Sequence, residues 1–225
     1  MAVRSLLAPW PGKAGRRLTV LGPTAAAEFA AAVSAIALPV ELALGPDVHG
    51  GRVGSFEPLV VEPWREARAR HRRVALDGMV GASVALRLDV ADCYRTIAAP
   101  RVGEALAEVG CAADAVGRVL GFLRRTAAAG VPGLPVGPEP SIVLANAVLH
   151  GLDHTVGEGV RYLRWYDDLL ILAPRIDLAL RTEEALAAAA VRLGLRLHPG
   201  KRRIAVGPSA IRRLIIAGPS ASRGP

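Results

Sequence analysis

A pair of neighbouring aspartates inside an apolar segment constrains this chain most. Asp167 and Asp168 lie within residues 164–172, which read RWYDDLLIL. An unpaired carboxylate is among the costliest groups to bury, so we expect a turn that brings both acids to the surface between two buried strands. A second apolar strand, residues 84–90 (VALRLDV), ends near Asp89. Two apolar strands that deliver acids to one place predict a two-metal phosphoryl-transfer site.

The size of the chain, 225 residues, fits one domain with a sizeable core. No segment is expected to span a membrane, because the most apolar stretch, residues 24–44, is interrupted by Glu28, Pro39 and Glu41. The N-terminus does not read as a secretory signal. Cys93 and Cys111 are too few for a disulfide framework or a zinc site, so we expect a reducing, cytoplasmic setting.

The net charge of +8 indicates a polyanionic partner, because a basic surface attracts phosphate backbones whatever their sequence. Codon usage that favours arginine would give the same charge, and composition alone does not separate the two explanations. Lysine occurs only at Lys13 and Lys201. A lysine kept in an arginine-rich chain is a candidate for a task that arginine cannot perform, such as giving up a proton.

The order of the elements predicts an α+β fold, in which a small antiparallel sheet carries helices on one face. Residues 1–23 are rich in proline and glycine and are expected to form a loose leader. Ser141 is the expected N-cap of a helix that follows the Gly/Pro loop 130–140. The other expected elements are helices at 24–38, 62–79 (basic), 100–110, 113–128 and 178–193, strands on both sides of Asp167-Asp168, and a strand at 195–197.

Two further segments have the character of a ligand site. The loop 133–141 (GLPVGPEPS) carries glycines that let a backbone approach a ligand closely, and it leads into the N-terminus of a helix. Such a loop is also compatible with a simple turn. Residues 193–201 (LGLRLHPGK) place Lys201 just beyond a short strand and a turn.

These segments, in this order, resemble the sequence motifs of reverse transcriptases, in the form found in bacterial abortive-infection and other defence-associated members. Residues 88–97 (LDVADCYRTI) resemble the first palm motif, and 133–146 (GLPVGPEPSIVLAN) resemble the second. Residues 164–168 (RWYDD) are similar to the third, and 194–201 (GLRLHPGK) to the fourth. The match extends from about residue 84 to 204, and four motifs in register are highly specific.

The resemblance implies roles for individual residues. Asp89, Asp167 and Asp168 would hold two Mg²⁺ ions, with Mn²⁺ as an alternative, for addition of dNTPs to a primer 3′-hydroxyl. Tyr94 would exclude a ribose 2′-hydroxyl, and Lys201 would protonate the departing pyrophosphate. Residues that would contact the substrate, template or nascent pair are Gly133, Pro135, Gly137, Ser141, Asn146 and, from the fingers, Arg52.

The sequence also departs from the family pattern. Trp165 replaces the usual tyrosine of the third motif, and Val136 stands where glutamine is common. Arg52 is the only basic residue at a plausible distance upstream to serve the triphosphate. Little chain follows Lys201, so we expect little or no thumb and a partner chain in its place. The expected regions are a leader and fingers-like part at 1–82, a palm at 83–216 with reduced helical fingers inserted at 99–130, and a disordered tail at 217–225.

Three hypotheses follow. The first is an RNA-directed DNA polymerase that binds an RNA template and a DNA primer or product and serves antiphage defence. The second keeps the same site but makes DNA without a template or from a protein primer. The third is a basic nucleic-acid-binding subunit without catalysis. No membrane partner is expected under any of them.

Overall fold

A four-stranded antiparallel sheet forms the centre of the computed structural model, which describes residues 3–10 and 13–218. Its strands lie in the order β6 (Arg161–Trp165), β7 (Asp168–Ala173), β5 (Val84–Asp89) and β8 (Arg203–Val206). The first strand hydrogen-bonds along its length to the second, and β5 pairs with both β7 and β8. The sheet confirms the predicted α+β class.

Apart from Arg87, Asp89 and Asp168, the side chains of β5 and β7 are apolar, and all are buried. Helices therefore cover both faces of this sheet. On the first face, Leu86, Leu88, Leu169 and Ile171 belong to the main core cluster. The helices that contribute to this cluster are α1 (Pro23–Ala43), the short α3 (Cys93–Thr96), α4 (Ala99–Glu108), α5 (Ala113–Ala128), α6 (Pro140–Asp153) and α7 (Ile176–Arg192).

The second face carries two more helices, α2 (Trp64–Gly78) and α8 (Pro208–Ala217). Ala75 of α2 and Ile211 and Ile215 of α8 form a separate apolar cluster with Ala85 and Leu170 of the sheet. The sequence analysis placed helices on one face only. The second layer follows from the alternation of β7, where Leu170 and Leu172 are apolar on one side and Leu169 and Ile171 on the other.

The helix α1 is long and apolar enough, by length and composition, to cross a membrane. The sequence analysis did not expect this, because it gave weight to Glu28, Pro39 and Glu41. Phe29, Val33 and Ile36 of this helix are almost completely buried in the main core, and the Phe29 ring stacks on Phe122 of α5 at 4.4 Å. A position against the core accounts for one side of this helix, while Leu38 and Leu42 are 51% and 76% exposed.

Several elements differ from the expectation. Within the supposed leader, β1 (Val3–Trp10) and β2 (Lys13–Leu21) pair as an antiparallel hairpin, so the loose-leader prediction is wrong for these residues. A second hairpin, β3 (Val53–Phe56) with β4 (Leu59–Val61), was also missed. The expected strand at 195–197 is reduced to one bridge between Leu197 and Val90. Ala217 ends α8, and the rest of the expected disordered tail, 219–225, lies outside the described residues.

Candidate active site

Three aspartates converge at one end of the central sheet. Asp89 ends β5 and lies directly opposite Asp168, the first residue of β7. Asp167 lies in the tight turn before Asp168. One carboxylate oxygen from each of the three residues lies within 4.8 Å of the others, and Asp89 and Asp168 are 1% and 3% exposed. Three clustered carboxylates, two of them buried, are the oxygen ligand set that hard divalent cations prefer.

The turn that carries Asp167 has an unusual backbone. Trp165 pairs with Asp168 across a two-residue loop, and the first loop residue, Tyr166, has a φ of 53°. Tight hairpins generally use glycine at such a position, and a bulky residue there persists only when its surroundings hold it. The backbone of Gly50 is packed against Tyr166 so closely that a Cβ at Gly50 would lie 2.4 Å from the Tyr166 nitrogen.

A buried network of hydrogen bonds and an ion pair, centred on Arg164, stabilises this turn. The Arg164 side chain is fully buried and donates to both Asp153 oxygens, from Nε at 2.7 Å and Nη2 at 2.8 Å. Its Nη1 donates to the Asn146 side-chain oxygen at 2.7 Å and to the Tyr166 carbonyl at 3.2 Å. Burial alone would lower the pKa of Arg164, but the Asp153 carboxylate outweighs it and the pKa is raised. The network therefore fixes a charged side chain directly to the turn.

Trp165, which replaces the usual tyrosine, points into the core rather than into the site. It is 1% exposed, and its ring lies 5.6 Å from the His71 ring of α2, which in turn lies 5.2 Å from the His49 ring. Burial lowers the pKa of His71 to about 3 and that of His49 to about 4, so both imidazoles are neutral at neutral pH. The tryptophan at position 165 therefore affects the packing between the sheet and α2.

Lys201, which was expected near the triphosphate, lies beside Asp89. Its Nζ is 2.7 Å from both carboxylate oxygens of Asp89. The segment that precedes it is joined to the end of β5, since the His198 amide donates to the Asp89 carbonyl at 2.7 Å. The ammonium therefore neutralises a carboxylate that is almost completely buried, and it is positioned inside the site.

The glycine loop 133–141 packs on the backbone of Tyr94. The Leu134 amide donates to the Tyr94 carbonyl at 2.7 Å. Tyr94 is half-buried beside Ile142, Trp165 and Tyr166. At the far end of the loop, Val136 exchanges hydrogen bonds with Thr19 of β2, and Gly137 lies against the same strand. Pro135 is buried within the loop.

Gly133 is expected to tolerate no side chain. Its φ is +76°, and a Cβ would lie 2.6 Å from the Tyr94 carbonyl oxygen and 2.5 Å from that of Arg95. Gly130 is a matched control, with a φ of +85° and open space around the same position. Gly130→Ala should lower the free energy of unfolding by about 1 kcal/mol through φ strain. Gly133→Ala should cost about 1–3 kcal/mol more, because the backbone must also move. Urea unfolding of both variants measures the difference, and equal costs would refute the close contact.

Three residues that were expected to contact substrate are buried or hydrogen-bonded inside the protein. Asn146 is 2% exposed, and its Nδ2 donates to the carbonyls of Gly50 and Gly51. Ser141 is completely buried one residue after the start of α6, where its side chain forms no cap, and Glu139 rather than Ser141 stands at the N-cap. Arg52 donates to the Glu41 carboxylate and to the carbonyls of Gly45 and Val48. The Glu41 carboxylate therefore neutralises the Arg52 guanidinium, which was expected to bind the triphosphate.

Sequence reasoning did not single out the residues that hold the catalytic turn. Arg164 was part of the third motif, but no role was assigned to it. Asp153 and the Gly50-Gly51 pair were visible only as a helix end and a turn. Arg164 lies between Leu163 and Trp165 in an apolar strand. A basic residue in such a strand is the one signal that indicates a buried ion pair.

The fold and the three clustered acids together have the form of a reverse-transcriptase-like polymerase palm. No protein-family model matches this chain, and no curated protein matches it. The chain is similar in structure to telomerase from Candida albicans, solved in complex with the TWJ fragment of telomeric RNA. That match has a TM-score of 0.60 at 12% identity, and it covers 90% of this chain and 42% of the telomerase.

A second telomerase structure, the apo enzyme from Candida tropicalis truncated from the C-terminal domain, matches 65% of this chain and 36% of its own length. Its TM-score is 0.45 at 11% identity. The chain therefore spans less than half the length of either telomerase. At these identities, the similarity to the Candida albicans enzyme shows the fold, a mixed α+β polymerase palm.

Proposed function

We propose that this chain is a reverse transcriptase, an RNA-directed DNA polymerase that adds dNTPs to a primer 3′-hydroxyl. The observation that carries the proposal is the convergence of Asp89, Asp167 and Asp168, which are distant in sequence, on one end of a palm-like sheet. The four motifs that resemble those of reverse transcriptases support the same reaction. The basic charge of the chain supports nucleic acid as its partner.

The donor set of the site fits divalent cations. Three carboxylate oxygens lie within 4.8 Å of one another, and carboxylates are the ligands that hard divalent cations prefer. The three aspartates would hold Mg²⁺, or Mn²⁺ in its place, and the bound ions would supply the charge that activates the primer hydroxyl and neutralises the leaving pyrophosphate. The protein fixes the acids through the strand register and through Arg164.

Lys201 would donate a proton to the departing pyrophosphate. Its ammonium already lies inside the site, in contact with Asp89. Its side chain is 30% exposed, which leaves a path to a substrate bound above the sheet. A lysine can give up a proton near neutral pH more readily than an arginine, and this matches its rarity in an arginine-rich chain.

Tyr94 would select deoxynucleotides by filling the space of a ribose 2′-hydroxyl. The contacts of the Gly133 loop fix its backbone, and its ring packs beside the catalytic turn. Tyr94→Ala should raise the use of ribonucleotides, measured as the ratio of kcat/KM for a dNTP to that for the matching rNTP. The ratio should fall at least about tenfold, because the steric exclusion is removed. Tyr94→Phe, which keeps the ring, should keep the wild-type ratio. An unchanged ratio in Tyr94→Ala would remove Tyr94 from this role.

The direct test of the function is primer extension. Purified protein with Mg²⁺, a primed RNA and labelled dNTPs should produce DNA complementary to the template. Products of random or homopolymeric sequence would support untemplated or protein-primed synthesis by the same site. Binding of nucleic acid with no synthesis in either Mg²⁺ or Mn²⁺ would refute the proposal in favour of a non-catalytic binding subunit.

The biological setting that we propose is antiphage defence in the cytoplasm. It rests on the form of the second motif, residues 133–146, which resembles that of bacterial abortive-infection members. We propose further that a partner chain supplies part of the grip on the duplex. Infection of cells with and without the gene, and with Asp167→Ala, tests the defence role. Equal phage yields in all three would refute it.

A further inference from the structure

The catalytic acids share a face of the sheet with the helices α2 and α8. Side chains alternate along a strand, so Asp89 lies on the same side of β5 as Arg87 and Ala85. Ala85 packs with Ile211 and Ile215 of α8. On the neighbouring strand β7, Leu170 and Leu172 alternate with Asp168 in the same way and belong to the same cluster. A nucleic acid that reaches the acids must therefore approach on the side where these two helices lie.

The end of α8 is anchored to the strand that carries Asp89. Arg87 is 7% exposed, and its guanidinium donates to the carbonyls of Leu214, at 2.7 Å, and Gly218. Arg72 of α2 donates to the Ile216 carbonyl at 3.4 Å, and a Cβ at Gly218 would contact the Arg68 guanidinium. The exposed sides of α2 and α8 therefore form one continuous surface beside the catalytic end of β5.

This surface is strongly basic. We define the α2–α8 arginine surface by six residues on the two helices: Arg65, Arg68, Arg72, Arg73, Arg212 and Arg213. Within the described part of the chain, none of these six forms an ion pair with a carboxylate. The acids of the two helices are Glu66 and Asp77, both on α2.

On the opposite face of the sheet, several helix arginines form ion pairs with carboxylates. Arg101 of α4 pairs with Glu104, Arg118 of α5 pairs with Asp114, and Arg125 of α5 pairs with Glu28 of α1. The division by face is not complete, because Arg70 of α2 pairs with Glu62, and among the described residues Arg124 of α5 and Arg192 of α7 form no ion pair. The six arginines of the α2–α8 arginine surface are nevertheless together on the face that carries the three aspartates.

We propose that the α2–α8 arginine surface binds the sugar-phosphate backbone of the primer–template duplex as it leads to the catalytic acids. This inference rests on the proposed polymerase function. Guanidinium groups bind phosphates bidentately, and neutralising phosphates releases the counterions condensed on the duplex. The surface would supply, from within this chain, part of the grip on the duplex.

The test measures binding of a primed RNA–DNA duplex in chelator, so that no metal-dependent chemistry occurs, across a range of salt concentrations. The variant replaces Arg65, Arg73, Arg212 and Arg213 with glutamine and keeps Arg68 and Arg72, which hold the end of α8. The slope of log affinity against log salt should become shallower by about 3.6, which is about 0.9 for each phosphate that the variant no longer neutralises. The matched control replaces Arg124 of α5 and Arg192 of α7, exposed arginines on the other face, and should leave the slope unchanged.

An unchanged slope in the four-residue variant would overturn the proposal. An equal effect per arginine in the Arg124/Arg192 control would also overturn it, because it would show a general charge effect. Loss of binding to anionic phospholipid vesicles with duplex binding intact would assign the surface to a membrane instead. Primer extension by the wild type and by Asp89→Asn, assayed alongside, tests the polymerase proposal separately from the arginine surface. If no form of the protein extends a primer but the salt dependence of binding still becomes shallower in the four-residue variant, the polymerase proposal fails and the nucleic-acid surface stands.

Discussion

Replacing Asp167 with alanine should abolish primer extension and leave the fold intact. The charge that a metal site contributes to a transition state is worth several kcal/mol, and a loss of about 4 kcal/mol lowers the rate about 10³-fold. Asp167 is half-buried in a turn, and its side chain is not part of the apolar core, so removal should cost little stability. Extension assays and urea unfolding of the same preparation measure the two effects separately.

The control for this experiment is Glu184→Gln, which removes an exposed carboxylate from α7 at the same change in net charge. It should extend primers at the wild-type rate. Asp89→Asn should behave as Asp167→Ala does, although Lys201 then loses its carboxylate partner. Full extension by Asp167→Ala would contradict the assignment of the site, whatever the effect on stability.

Replacing Arg164 with methionine should destabilise the protein by about 3–5 kcal/mol. The change leaves Asp153 without its bidentate partner, and an uncompensated buried charge is costly. It also removes the donor to the Tyr166 carbonyl, so the turn that carries Asp167 should loosen. Urea unfolding measures the first effect. The second should appear as a fall in kcat that persists below the unfolding temperature.

The same strand provides a control for Arg164. Arg161 pairs with Asp47 at 2.6 Å, but its side chain is 46% exposed, so Arg161→Met should cost less than about 1 kcal/mol. The double variant Arg164→Met with Asp153→Leu should recover much of the stability, since an apolar pair of similar volume replaces the buried ion pair. A cost for Arg164→Met as small as that for Arg161→Met would show that the buried network does not hold the turn.

The sequence was sufficient to predict the catalytic end of the sheet because local signals agree there. Residues 84–90 and 164–172 are apolar strands with acids at their ends, and antiparallel pairing of β5 with β7 brings Asp89 opposite Asp168. The helices α2, α4 and α5 also follow from local periodicity and from the glycine at 110. These parts depend on contacts between residues that are close in sequence or on one strongly constrained pairing.

The contacts of individual polar side chains could not be predicted in this way. Asn146 and Arg52 have the chemistry of ligand-binding groups, but their partners are backbone carbonyls and a glutamate up to 96 residues away along the chain. The hairpin of β1 and β2 was missed because its prolines and glycines indicate turns, while its pairing is a strand–strand contact. The position of α8 depends on Arg87, a buried guanidinium that no local pattern reveals.

The central claim is that Asp89, Asp167 and Asp168 form one divalent-cation site. Titration of the purified protein with Mn²⁺, followed by electron paramagnetic resonance of the free ion, measures binding without substrate or turnover. We expect the wild-type chain to bind Mn²⁺. We also expect Mg²⁺ to compete with Mn²⁺ for the same site. The variant with all three aspartates changed to asparagine should lose this binding, and Glu184→Gln should keep it. Equal Mn²⁺ binding by the triple variant and the wild type would contradict the claim.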